Sequence, residues 1–377
     1  MQIAGSDLKI ETERTPAGGK GHAPSTMKAA VYIGDSRIEV RSLAVPKIGP
    51  GEILVRVEAC GICHTDLKKV KHNLLSPPRI FGHETAGVVV QVGEGVTDFA
   101  LGDRVIAFHH IPCLDCFYCR HKLYAQCSTY KKVGITAGFE PAGGGFAQYV
   151  RVMDWIVRRG VEKIPAGVSF ERASFVEPVN TCVKGIVQLD LKPDDVVAIL
   201  GQGPIGLTFT MLAKRTGATI IATDGMPYRR GLARRFGAAF VYDPRDDEFA
   251  RQVRELTEGR GVDAVIVSAS ANGIVEQAMH CSRPGSRILL FAQTSHKERI
   301  ELSGADVCVG ERMVFGSYSA SVDLQKESAR LVFEELPVED LISHRFALDR
   351  ISAGIDLALR PEPDSLKIIV EPQRWSE

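Results

Sequence analysis

The chain has 377 residues, with 46 Lys plus Arg set against 46 Asp plus Glu. That length suits about two domains, and the zero net charge excludes a global field drawing the protein to nucleic acid or an anionic membrane surface. No apolar run approaches the ~20 residues of a spanning helix and the amino terminus lacks the basic, apolar and small-residue succession of a secretory signal, so the expected location is cytoplasmic, with no membrane or nucleic-acid partner.

Residues 1–26 are polar, rich in Gly, Pro, Thr and Lys, and read as a flexible leader. From Met27, short β-like runs at 28–32, 38–43, 52–59, 87–92 and 104–108 are separated by turns such as Gly49-Pro50-Gly51. Such spacing indicates a small barrel or sandwich. Within this region stand Cys60-Gly61-Ile62-Cys63-His64-Thr65-Asp66 and Gly82-His83-Glu84. A thiolate at Cys63 and an imidazole at His83 are donors that Zn²⁺ takes, and Asp66 and Glu84 can act as outer partners or exchangeable ligands. Catalytic zinc keeps one position open, so a third protein ligand has to come from elsewhere in the chain. The candidate is Glu177 in Phe175-Val176-Glu177-Pro178. The Thr65 hydroxyl, two residues from the thiolate, is placed to take a proton from an alcohol. The plainer alternative is a core Cys and His joined by a turn.

Cys113, Cys116, Cys119 and Cys127 are too closely spaced for ordinary bridges and read as four thiolates around one tetrahedral ion. A closed four-cysteine set leaves no position for substrate, so this is a structural zinc that staples its loop. Cys60, Cys182, Cys281 and Cys308 are scattered and read as small buried hydrophobes.

Near residue 180 the pattern changes to alternating strands and helices. Strands are expected at 196–200, 219–223, 239–242, 264–268, 287–291 and 312–315, with helices at 205–215 and 228–236 among them. Six such strands make a doubly wound parallel sheet. Gly201-Gln202-Gly203-Pro204-Ile205-Gly206 follows the first strand and opens a helix. Gly201 permits the tight turn, Gly203 lets the backbone approach a pyrophosphate, and Gly206 allows close helix–strand packing, with Pro204 and Ile205 at the helix start. Asp224 ends the next strand, where it can accept from both adenosine ribose hydroxyls and repel a 2′-phosphate, favouring NAD. Arg229 suits either a ribose 3′-hydroxyl or the extra phosphate of NADP. A helix at 323–335 and a strand at 366–370 close the chain.

From about Met27 to Val370 the chain resembles the zinc-containing medium-chain dehydrogenases, the alcohol, sorbitol and threonine dehydrogenase superfamily. The resemblance is carried by Gly61 to Asp66, Gly82-His83-Glu84-Thr85-Ala86-Gly87, the four-cysteine lobe, Gly102-Asp103-Arg104-Val105 and the glycine-rich turn with Asp224. It implies an α/β protein: a GroES-like β-barrel catalytic domain over 27–178 with the zinc lobe at 113–127, an inserted Rossmann NAD-binding domain over 179–318, and a return segment over 319–377. It also implies catalytic zinc on Cys63 and His83, Glu84 as the adjacent carboxylate, Thr65 in the proton relay, and His64 and Lys367 near the coenzyme pyrophosphate. Members are commonly homodimers or homotetramers.

Two departures bear on substrate. Where enzymes for simple primary alcohols supply a third cysteine, this chain has Glu177-Pro178-Val179-Asn180, the carboxylate form of polyol, secondary-alcohol and threonine dehydrogenases, with Cys182 two residues out of register. Lys68 stands where many relatives end the relay in histidine, and it reads as a solvated charge or as a depressed relay terminus. His109 and His110 precede the lobe and read as substrate contacts or as packed loop histidines. The expected activity is NAD-linked oxidation of a secondary alcohol such as a polyol or sugar alcohol. L-threonine 3-dehydrogenase is the rival within the class, and a non-catalytic NAD(H)-binding zinc scaffold the rival outside it.

Overall fold

A computed structural model describes residues 23–139, 141, 143–246, 248–292 and 299–376. The leader expected over 1–26 lies outside the described residues as far as residue 22, and Thr26 already belongs to strand β1 (Thr26–Gly34). β1 pairs antiparallel with β2 (Arg37–Ala44). β3 (Ile53–Gly61) then runs into helix α1 (His64–Lys71), and β4 (Glu84–Val92) returns beside β3. β4 starts three residues before the predicted run because Glu84, Thr85 and Ala86 pair with Gly61, Cys60 and Ala59. Their polar character hides a strand that the register requires.

β5 (Arg104–Ala107), β6 (Ile135–Thr136), β7 (Tyr149–Val152) and β8 (Val161–Lys163) complete the first region. Helix α2 (Val176–Leu189) leads out of it, running unbroken across the boundary expected at 178/179. Asn180 on α2 ties the two parts together, donating to the Ser321 carbonyl at 3.1 Å and accepting from the Ser321 amide at 2.7 Å.

The second region alternates β9 (Val196–Leu200), α3 (Pro204–Lys214), β10 (Thr219–Thr223), α4 (Pro227–Phe236), β11 (Phe240–Tyr242), β12 (Val262–Val267), β13 (Ser282–Leu290) and β14 (Met313–Gly316). All six strands are parallel, in the order β11-β10-β9-β12-β13-β14. The order reverses between β9 and β12, the place where such sheets bind ligands. Because successive strand side chains face opposite sides, Val197 and Ile199 of β9 join one core while Ala198 and Leu200 join the other. Burial on both faces explains the unbroken apolar run.

The return segment holds β15 (Ile342–Ala347), the helix Ile351–Leu359 and β16 (Lys367–Glu371). β15 escapes sequence reading because it is an edge strand, half-exposed along its length and without alternation. β16 pairs with β15 and, through Ile369↔Gly61 and Val370↔Cys60, with the end of β3. The antiparallel part of this sheet therefore closes on the strand that delivers Cys63, giving the order β15-β16-β3-β4-β5-β8 with β7 also on β3. Cys60, Cys182 and Cys281 are buried as expected, but Cys308 is exposed, because it ends a short helix with no buried face. Among the described residues no helix is long and apolar enough to cross a membrane.

Candidate active site

The register of three strands and two helices brings the donors together. Gly61 lies opposite both Glu84 on β4 and Ile369 on β16, so the end of β3 is flanked by the Glu84 carboxylate and the Lys367 ammonium. The two side chains form an ion pair, and Lys367 Nζ also donates to the Ile62 carbonyl at 3.1 Å. Cys63 then caps α1 through extended backbone, without spending its side chain on the cap. Its carbonyl accepts from the Asp66 and Leu67 amides instead, at 3.0 and 3.2 Å. One donor atom each from Cys63, His83 and Glu84 lies within 4.8 Å of the others, and a second trio, His83, His109 and Glu177, meets the same condition.

Asp66, in the first turn of α1 and 2% exposed, turns inward to His83 Nδ1, with its two oxygens at 3.2 and 3.1 Å. That contact fixes the ring and leaves Nε2 for a metal. Thiolate, imidazole and carboxylate at this separation form a donor set that zinc fits. Burial works against charge on these groups, but neighbours decide most of them. Asp66 and Cys63 raise the pKa of His83 well above the ordinary range, while His83 lowers that of Asp66. Glu84 and Cys63 likewise outweigh burial at Lys367 and raise it. Glu177, in the first turn of α2, keeps some exposed surface, yet burial of the carboxyl pushes its pKa up to about 7. A bound cation reverses that balance in favour of the carboxylate.

The two readings of His109 and His110 separate in the structure. His110 places Nδ1 3.3 Å from the Lys132 carbonyl and stacks on Tyr130, behaving as a loop histidine with burial holding its pKa down to about 4. His109 lies between His83 and His110, with ring centroids 4.6 and 4.0 Å away, and its buried Nδ1 has no hydrogen-bond partner. Sequence reasoning left His109 open between a substrate contact and a packed loop histidine, and missed its convergence with His83 and Glu177, which depends on packing between β4, β5 and α2.

Tyr130 links this row of rings to the cysteine lobe, its hydroxyl 2.7 Å from Ser319 Oγ and donating to the Ala320 carbonyl at 3.1 Å. In the lobe the sulfurs of Cys113 and Cys119, Cys116 and Cys119, and Cys127 and Cys113 are 3.8, 3.5 and 3.6 Å apart. Sulfurs about 2.3 Å from a tetrahedral zinc stand about 3.8 Å from one another, so the geometry fits that ion and excludes disulfides. Although burial opposes it, the Cys113 and Tyr130 backbone amides pull the Cys127 pKa down to about 6, toward the thiolate that a metal needs.

At the glycine-rich turn, Gly201 adopts φ +95°, and a Cβ on Gly206 would fall 2.0 Å from the Gly201 carbonyl oxygen. Gly203 caps α3 and Pro204 opens it. Asp224 accepts from the Gln202 amide at 2.7 Å and the Met226 amide at 2.8 Å, which braces the turn against the end of β10. Arg229 Nη1 lies 3.8 Å from where a Gly203 Cβ would stand, and its Nη2 donates to the Ser365 carbonyl, so this guanidinium sits beside the turn. Two neighbours not singled out from sequence approach Asp224 instead: Arg230 reaches its carbonyl and Asp243, and Arg245 reaches Asp243 and the Gly225 carbonyl. His64 is exposed, yet desolvation, followed by Lys367, Lys68 and Arg229, lowers its pKa. Lys367 is more committed than expected, since its ammonium is buried on Glu84 and Ile62. Lys68 is half-buried, and Thr65, also half-buried, stands in the first turn of α1.

Residues 49–165 match the family described as the alcohol dehydrogenase GroES-like domain, and residues 204–334 match zinc-binding dehydrogenase. The chain is 29% identical over 357 residues to a sorbitol dehydrogenase of Bacillus subtilis (strain 168), a match covering 93% of this chain and 99% of the relative. It is 34% identical over 283 residues to an L-threonine 3-dehydrogenase of Pyrococcus abyssi (strain GE5 / Orsay), covering 74% of this chain and 78% of the relative. Among solved structures, a provisionally assigned zinc-binding dehydrogenase from Sinorhizobium meliloti 1021 bound to NADP superposes with a TM-score of 0.82 at 30% identity, covering 93% of this chain and all of that one.

Proposed function

Because this chain belongs to the zinc-binding alcohol dehydrogenases of the medium-chain superfamily, we propose that it oxidises a secondary alcohol of the polyol or sugar-alcohol class reversibly, with NAD as hydride acceptor. The observation that carries the reading is the convergence of Cys63, His83 and Glu84, with Glu177 also reaching His83, in a chain whose glycine-rich turn is braced by Asp224. Zinc bound there supplies a Lewis acid that polarises a hydroxyl, and bound NAD supplies the acceptor.

The chain's own residues do the rest. Cys63, His83 and a carboxylate hold the ion. Asp66 orients His83, and Lys367 holds the Glu84 side chain in place through their ion pair. Thr65, between buried Asp66 and exposed His64, relays the hydroxyl proton, accepting it at Oγ as its own proton passes to solvent. The amides of the first turn of α3, with Arg229 beside them, would hold the pyrophosphate of a bound dinucleotide, and Asp224 would accept from its adenosine ribose. A carboxylate at the ribose supports NAD. The NADP bound to the S. meliloti protein, with Arg230 and Arg245 close to Asp224 here, is the opposing consideration.

A second substrate reading, a 3-hydroxy amino acid, is favoured by the 34% identity to the P. abyssi L-threonine 3-dehydrogenase. Initial rates with NAD and with NADP across polyols, sugars, simple secondary alcohols and L-threonine, on enzyme of known zinc content and on Cys63→Ser, test both. The expected result is one preferred alcohol with NAD and loss of turnover in Cys63→Ser. Turnover confined to L-threonine selects the second reading, and silence of zinc-loaded enzyme on every pair refutes both.

A further inference from the structure

We propose that His109 is a protein ligand of the catalytic metal, so that the ion has two seats sharing His83: one with Cys63 and Glu84, the other with His109 and Glu177. The proposal rests on the reading above that a metal binds at Cys63 and His83, and it adds a ligand that the chain's sequence motifs do not announce.

Three observations carry it. The donor atoms of His83, His109 and Glu177 lie within 4.8 Å of one another, the same condition met by Cys63, His83 and Glu84. His109 is 9% exposed, and its buried Nδ1 finds no partner, although a buried ring nitrogen ordinarily has one. The ring is held in place from both sides, by His83 with a centroid 4.6 Å away and by His110 at 4.0 Å. His83 is the natural pivot: it belongs to both trios, and with Asp66 on its Nδ1 the Nε2 is the nitrogen left for a metal.

The two seats differ in donor chemistry. One contains a thiolate, and the other is nitrogen and oxygen only. Softer ions favour the first and borderline ions tolerate the second. Exchange between seats would change which protein donors surround the ion.

Cobalt reports the difference, because a thiolate ligand adds a charge-transfer band to the visible ligand-field bands of Co²⁺. The enzyme is exchanged with Co²⁺ under conditions that leave zinc in the four-cysteine lobe, and the metal content of each variant is measured. Wild type should bind one cobalt beside the lobe's zinc and show both band types. Cys63→Ser should keep the ligand-field bands and lose the charge-transfer band. Cys63→Ser combined with His109→Phe, which preserves ring volume, should lose the cobalt altogether. His109→Phe alone closes the second seat and leaves the Cys63 seat intact, so the charge-transfer band per bound cobalt should rise above that of wild type, and His109→Gln should repeat the effect if the phenylalanine variant packs poorly.

Equal cobalt binding by Cys63→Ser and the double variant, or a charge-transfer intensity per cobalt equal to wild type in both His109 variants, overturns the proposal. A raised substrate KM with the cobalt spectrum unchanged also overturns it and assigns His109 to substrate. Failure of wild type to take any metal outside the lobe refutes the underlying metal site as well, which separates the two claims.

Discussion

Replacing Asp66 by Asn tests whether His83 is a metal ligand held by an outer carboxylate. Asp66 is 2% exposed and its oxygens lie 3.2 and 3.1 Å from His83 Nδ1. A hydrogen bond to a charged group contributes ~1.5–3 kcal/mol and a neutral one ~0.5–1.5 kcal/mol. Asparagine keeps one acceptor for Nδ1–H, so the loss is the difference, about 1–1.5 kcal/mol. At ~1.4 kcal/mol per decade this is roughly a tenfold drop in metal affinity, the low end of the range for such outer partners. Lys69, 4.0 Å from Asp66 and 27% exposed at its side chain, adds little when freed. Asp66→Ala, which leaves Nδ1 with no acceptor, should approach a hundredfold. The assay is zinc competition with a chromophoric chelator, with the four-cysteine lobe as internal reference. Affinity within about twofold of wild type in both variants, or equal loss from both sites, would refute the assigned role of Asp66.

At the coenzyme turn, Asp224→Ala should raise the KM for NAD by about tenfold or more, from the loss of an acceptor worth ~1.5–3 kcal/mol, and should narrow or invert the preference over NADP. An equal change for both coenzymes would show that Asp224 only braces the Gln202 and Met226 amides. The Glu84 and Lys367 side chains are 1% and 7% exposed, so Lys367→Met should lower the unfolding free energy by ~3–5 kcal/mol in urea titration at fixed zinc. The double variant with Glu84→Gln should cost less than the sum of the two single variants, and strict additivity would deny the pair. Asp243 is held well below the ordinary carboxylate pKa by hydrogen bonds from Arg245, with Arg230 adding to them. A depressed folded pKa gives stability that is present above the unfolded value of about 3.8 and is lost as pH falls through the folded pKa. Asp243→Asn should therefore be less stable at neutral pH, with the deficit closing in increasingly acid solution and shrinking in high salt. A deficit independent of pH would point to packing instead.

Local chemistry made much of this protein legible from its residues. The four-cysteine spacing needs no tertiary information, because ligands within one short loop can reach a common ion whatever surrounds them. The turn from Gly201 to Gly206 is equally local, since strand, glycines and helix follow one another in the chain, and β9 and β10 begin and end where the apolar runs do. Cys63 and His83 were also readable as zinc donors by type. The tertiary structure decided the rest. Glu177 approaches His83 only because α2 packs against the antiparallel sheet, and Lys367 reaches Glu84 only because β16 closes on β3 in the register that faces Ile369 with Gly61. The polar start of β4 and the half-exposed edge strand β15 carry no periodicity to announce them. His109 and His110 look interchangeable in the chain, yet one meets His83 and Glu177 and the other a loop carbonyl. Sequence determines which groups are available and which short-range geometries they adopt. Which distant groups share one low-dielectric pocket depends on strand register and helix packing, set by the summed burial of many residues rather than by any one motif.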